Sequence, residues 1–196
     1  MKMIFNTLYV FSLREKMAKT VSFSEGVNVV TSSQADGTDR GKTVLLRSLY
    51  HALGADAYFD SKWKAEPKIY ILQFSIDDHV YFIFRSGNLF KLFNEQKERI
   101  SSVIHASDLA AELEKITGFA MKLPNRNENT LEITPPVYNY LPFYIDQDHY
   151  DGSKFSSFEN LGQYSNYKAG SKAARRSGAE APATCRRKKT TSIRMT

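Results

Sequence analysis

Cysteine occurs once, at Cys185, in 196 residues, which excludes an intramolecular disulfide framework. The four histidines are scattered, with no cysteine or carboxylate at ligand spacing, so no zinc site is expected. No apolar run approaches the roughly 18 to 20 residues that cross a bilayer. Asn6 and Arg14 interrupt the apolar block that a signal peptide would need. These absences point to a soluble chain acting in the cytoplasm without a membrane. What is present can fill a core: 42% of the residues are apolar and 13% aromatic, enough for one globular domain with or without a tail.

Charge is unevenly spread. The net charge is +6, but residues 168–196 hold nine Lys or Arg against one acid, Glu180, so the remainder of the chain is slightly acidic. That terminal stretch has no aromatic residue and almost no large apolar side chain, which predicts a basic, unstructured tail. A change of reading frame after Tyr167, phosphate contact with nucleic acid and a merely solvated tail remain three open readings of it. Residues 1–150 then form the folded lobe, and 151–167 a linker or the start of an arm.

The chain is organised around Val27 to Gly54. A β-branched run, Val27 to Thr31, leads into a polar stretch ending in Gly41-Lys42-Thr43, and an apolar-periodic segment follows. Strand, glycine-bearing loop and helix in that order suit a polyphosphate: loop amides and the positive end of the helix face the anion. The lysine then reaches the outer phosphates, and the threonine hydroxyl ligates Mg2+. Gly37, Arg40, Gly41, Lys42, Thr43 and Val44 are the candidate nucleotide-binding residues. The motif departs from the usual P-loop, because Asp36 stands where the first glycine belongs, Gly37 comes one residue later, and the loop from Ser32 to Arg40 is long. A surface loop with a chance Gly-Lys-Thr is the alternative. Leu45, Leu49, Ala52 and Leu53 share one helix face, which predicts packing on a sheet.

Upstream, Met3 to Leu13 and Thr20 to Phe23 read as a hairpin. Downstream, Gly54 suits the end of the helix, and Tyr58, Phe59 and Trp63 read as core or lid contacts, with adenine stacking as the alternative. Ile69 to Ile76, Val80 to Phe84 and Leu89 to Phe93 read as an antiparallel meander turned by Asp77-Asp78 and Ser86-Gly87-Asn88. Asp77-Asp78 is either a hairpin turn or a magnesium-ordering acidic pair. Ser107 to Thr117 has helical periodicity, with Ser107 as cap and Gly118 as stop. Pro124 to Asn129 reads as loop, and Leu131 to Ile133 as a short extended piece. Leu141 to Ile145 is a short apolar run closing in Asp146-Gln147-Asp148, either an acidic loop or a set of groups for magnesium and water.

Taken together, Gly26-Val27-Asn28-Val29-Val30, Gly41-Lys42-Thr43-Val44-Leu45-Leu46, an antiparallel insert, and an apolar run closing in Gln147 resemble the N-terminal lobe of SMC-like ATPases, the RecF and RecN type of ABC ATPase head. The resemblance covers about residues 1–150. It implies an α/β P-loop half-domain with a mixed sheet and an antiparallel β-meander insert. It also implies ATP and Mg2+ as cofactors, with Lys42 on the β- and γ-phosphates, Thr43 on the metal, and Gln147 as the Q-loop residue sensing metal and water. The expected partner is a second ATPase lobe or head, with DNA as a further one. The Walker B acids and signature motif of that family are not found here, so little hydrolysis by this chain alone is expected. A small complete kinase or GTPase and a non-enzymatic interaction module using the aromatic meander are the other two readings.

Overall fold

The structure is a computed structural model that describes residues 2–30, 41–55, 57, 59–64, 66–127, 130–140 and 167. Its main layer is a six-stranded sheet made of β1 (Met3–Ser12), β2 (Met17–Ser22), β3 (Lys68–Ile76), β4 (His79–Ser86), β5 (Leu89–Phe93) and β6 (Arg99–Val103). The spatial order is β2-β1-β3-β4-β5-β6, and every pairing is antiparallel. Turn chemistry sets the registers. Ile76 faces His79 across Asp77-Asp78, and Ser86 faces Leu89 across Gly87-Asn88. Asp77 takes φ 50 and Gly87 φ 58, the left-handed backbone that a two-residue hairpin loop demands and that Asp and Gly tolerate. A bulge at Asn6, between the pairs Phe5 to Phe74 and Thr7 to Gln73, keeps Met3 and Phe5 on the same face as Leu8 and Val10.

Alternation then decides what is buried. Tyr70, Leu72, Phe74 and Ile76 of β3, Ile83 of β4, and Phe90 and Leu92 of β5 point into one core with Leu8, Val10 and Val21. Two helices cover that face: α1 (Lys42–Ala52) supplies Leu49 and Ala52, with Leu53 just past its end, and α3 (Ala106–Thr117) supplies Leu109 and Leu113. A short helix α2 (Ser61–Lys64), the two-stranded sheet of β7 (Lys122–Pro124) and β8 (Leu131–Ile133), and a last turn α4 (Val137–Tyr140) complete the described elements. A second core gathers Ala55, Ala57, Phe59, Met121, Leu123, Val137, Tyr138 and Tyr167. Val44 and Tyr50 of α1 pack against it, while Leu45 packs against the sheet core. The helix carrying Lys42 and Thr43 is therefore held from two sides.

The hairpin, the meander and both long helices lie close to where the sequence puts them. Among the described residues the main sheet is antiparallel throughout. Two expectations are corrected. Val27 to Val30 forms no strand: Val29 makes a single bridge, and the valines stand outward, Val27 59% and Val29 36% exposed. The buried residue there is Asn28, whose Oδ1 accepts from the Ser24 amide at 2.7 Å and whose Nδ2 donates to the Ser24 carbonyl at 2.8 Å. Polar closure of a turn outcompetes the β-propensity of its valine neighbours. Finally, α3 starts one residue before Ser107, with His105 at the cap position and no side-chain cap.

Candidate functional site

The start of α1 is the candidate site. Gly41 occupies the N-cap position at φ 74, a left-handed conformation that glycine adopts without strain, and a Cβ there would meet nothing within 4 Å. Gly41 is exposed, and Lys42, Thr43 and Val44 follow in the first turn, each half-buried. The first turn has no side-chain cap and no acidic residue. Leu45 N–H is the first to find an intrahelical acceptor, the Gly41 carbonyl at 2.9 Å. A helix start whose own first turn carries a lysine and no carboxylate favours an anion.

These four residues differ in how their side chains are placed. Val44 turns its side chain into the second core, so it offers a ligand only its backbone N–H. Lys42 and Thr43 are the residues whose side chains remain for a ligand. Gly37, Arg40 and Gln147 lie outside the described residues, as do Asp146 and Asp148.

Asp77 and Asp78 do not join this group. They form the β3–β4 turn, where the Lys2 amide donates to Asp77 Oδ1 at 2.8 Å and the Asp77 amide donates to the Lys2 carbonyl at 2.8 Å. With Lys2, Ile4, Asn6, Glu25, Ser75 and Val80 they line an open cleft of about 490 Å3 that includes no residue of α1. The hairpin reading of this pair therefore holds. Lys2 and Glu25 pair at its rim, and the ammonium hydrogen bond and charge hold the Glu25 carboxyl below its usual range. Among the described residues no three His, Cys, Asp or Glu side chains converge as a metal site. Phe59 and Trp63 are core contacts: Phe59 is buried and stacks on Trp63 at 6.0 Å, and Trp63 Nε1–H donates to the Tyr70 hydroxyl at 2.8 Å, while Tyr58 lies outside the described residues.

The far end of α1 holds a polar cluster that the sequence reading missed. Arg85 of β4 is 3% exposed; its Nη1 donates to the His51 carbonyl at 2.7 Å and to the Ala55 carbonyl at 3.0 Å. Its Nε donates to the Gly87 carbonyl at 3.0 Å, and the guanidinium lies 4.7 Å from the centre of the Phe90 ring. His51 Nδ1 sits 3.1 Å from the Ala55 carbonyl, an acceptor only, so that nitrogen carries the ring proton. Burial, and then the charge of Arg85, push the His51 pKa down from 6.5 to about 3, which keeps the ring neutral. A signal for Arg85 exists in the sequence, since it shares the inward parity of Tyr81 and Ile83.

No protein-family model matches the chain. Two curated bacterial proteins do. The chain is 36% identical over 163 residues to a protein named Lamassu protein LmuB from Bacillus cereus strain VD014. It is 28% identical over 165 residues to another of that name from Bacillus sp. strain NCIM 5461 / CCTCC AB 2011126 / NIO-1130. Each match covers 83% of this chain but only 28% of the relative, so the chain spans under a third of the length of the proteins it resembles.

Proposed function

We propose that this chain is the N-terminal, nucleotide-holding part of an SMC-like ATPase that acts in defence against phage or other foreign DNA. The observation that carries the nucleotide half of this reading is the start of α1, with Gly41 at the N-cap, no side-chain cap among the described residues, and Lys42 and Thr43 in its first turn. The defence half is supported by similarity to the two Lamassu LmuB proteins.

In this reading the α1 amides and Lys42 hold the triphosphate of ATP, and Thr43 Oγ1 is the ligand for Mg2+. A bound Mg2+ would neutralise charge that develops on the phosphoryl oxygens. The chain's own contribution is binding and orientation. Gln147 stays a candidate for ordering metal and water, and Gly37 and Arg40 for the loop that surrounds the phosphates. Hydrolysis by this part alone is expected to be slow, because positioned water, metal and charge stabilisation act together in phosphoryl transfer. The partner is a second lobe or head of the same ATPase type, and DNA is the substrate it works on.

Melting with and without ATP-Mg tests the proposal. At a hundredfold excess over Kd, ligand binding stabilises by about 2.7 kcal/mol, a rise of roughly 5 to 10 °C for a chain of this size. Wild type is expected to show that rise and Lys42→Ala to lose most of it. Equal melting of both with and without nucleotide would remove the assignment.

A second reading has one observation in its favour. Tyr9, Phe11, Ile69, Ile71, Phe82, Phe84 and Phe93 point to the sheet face opposite α1 and belong to neither core. An interaction module using that face predicts a melting temperature indifferent to nucleotide.

A further inference from the structure

The inference rests on the nucleotide reading above and concerns how the site at the start of α1 is aimed. Apolar packing sets which face of α1 lies on the sheet: Leu45, Leu49, Ala52 and Leu53 on one side, Val44 and Tyr50 on the other. The burial that drives these contacts is non-directional, whereas hydrogen bonds at a helix end are directional and set its axial position more sharply.

Arg85 makes bonds of that kind. It is buried on β4, a strand paired on both sides, and it reaches the carbonyls of His51 in the last turn of α1 and of Ala55 just beyond it. A further bond, to Gly87, ties the same guanidinium to the β4–β5 turn, and the Phe90 ring lies beside it. Rigid sheet, planar fork and helix end are thus joined at 2.7 to 3.0 Å. The cation also sits at the negative end of the helix dipole. The helix is 11 residues long, about 16 Å. A shift at its far end is therefore delivered undiminished to Lys42 and Thr43. Gly54 closes the other direction, since the Leu109 and Pro136 side chains leave no room for a Cβ there.

We propose that Arg85 is a positioning residue for the nucleotide site: its bonds to the His51 and Ala55 carbonyls hold α1 at the axial position that presents Lys42, Thr43 and the first-turn amides to phosphate. It touches no ligand itself and acts through the helix. Small displacements matter at such sites because phosphate binding by converging amides depends on their alignment.

The experiment is calorimetric titration of ATP-Mg into full-length wild type, Arg85→Ala and Arg85→Lys, at a temperature where circular dichroism shows each variant folded. Arg85→Ala is expected to bind at least about tenfold more weakly, the scale of losing hydrogen bonds from a charged donor. Arg85→Lys, which keeps the charge but not the fork, should fall between them and serves as the test variant if Arg85→Ala does not fold. Millimolar guanidinium should restore part of the Arg85→Ala affinity, which a merely loosened fold would not show. Wild-type affinity in folded Arg85 variants overturns the positioning role alone, as does a loss that guanidinium leaves unchanged. Absence of ATP-Mg binding by wild type overturns the nucleotide reading and the positioning role together.

Discussion

Gly54→Ala probes the wedge at the end of α1 with the smallest possible change. Gly54 sits at φ +92, and a Cβ built on it lies 2.9 Å from Leu109 Cδ2 and 3.2 Å from Pro136 Cγ. The left-handed backbone costs an alanine about 1 to 2 kcal/mol. Overpacking adds about 1 to 3 kcal/mol: Leu109 and Pro136 are both fully buried, and the proline ring has no rotamer to retreat into. The expected total is about 2 to 5 kcal/mol. Gly118, which closes α3 at φ +67, has nothing within 4 Å of its Cβ position, so Gly118→Ala carries only the backbone cost. Urea unfolding of the two variants, with slopes compared to confirm that the native and denatured states keep their compactness, isolates the packing contribution. Equal losses at the two glycines would refute the close contact between α1, α3 and the Pro136 segment.

Acid should weaken the fold through His51. Its pKa is lowered from 6.5 to about 3, so the unfolded chain gains a proton below pH 6.5 that the folded chain refuses until about pH 3. Stability from this group is complete above pH 6.5 and falls as pH drops through that window, by up to about 2 kcal/mol at pH 5. His51→Asn, which keeps a donor near Nδ1, should remove that share of the slope between pH 8 and pH 5 in chemical denaturation; an unchanged slope would contradict the buried neutral ring. Asn28→Ala removes an acceptor and a donor from a closed turn, and a loss of about 1 to 3 kcal/mol by the same assay is expected. A loss near zero would mean that the turn before the loop is held by other contacts.

Local chemistry explains which parts were legible in the sequence. Asp77-Asp78 and Ser86-Gly87-Asn88 are turn residues between alternating strands, so the meander followed from spacing, and the structure adds its register. Helices α1 and α3 announce themselves by apolar periodicity and by Gly54 and Gly118 after their ends. The fourth meander strand, β6, was not legible because Ser101-Ser102 breaks its apolar pattern; it forms because β5 offers it an edge. Val27 and Val29 misled because β-propensity measures fit to a sheet surface, and here a buried asparagine closes a turn instead. Arg85 was missed for a different reason: its inward parity with Tyr81 and Ile83 was there to read, but a lone arginine in a strand looks solvated until the helix end beside it is known. At the candidate site Lys42 and Thr43 open α1, and the side chain of Val44 packs against the second core.

The most direct measurement is the affinity of the purified chain for ATP with Mg2+, read by calorimetry beside Lys42→Ala. Saturable binding by wild type, weakened at least about tenfold in the variant by loss of a charged phosphate contact, is the predicted result. Indistinguishable heats from the two proteins would contradict a phosphate site at the start of α1.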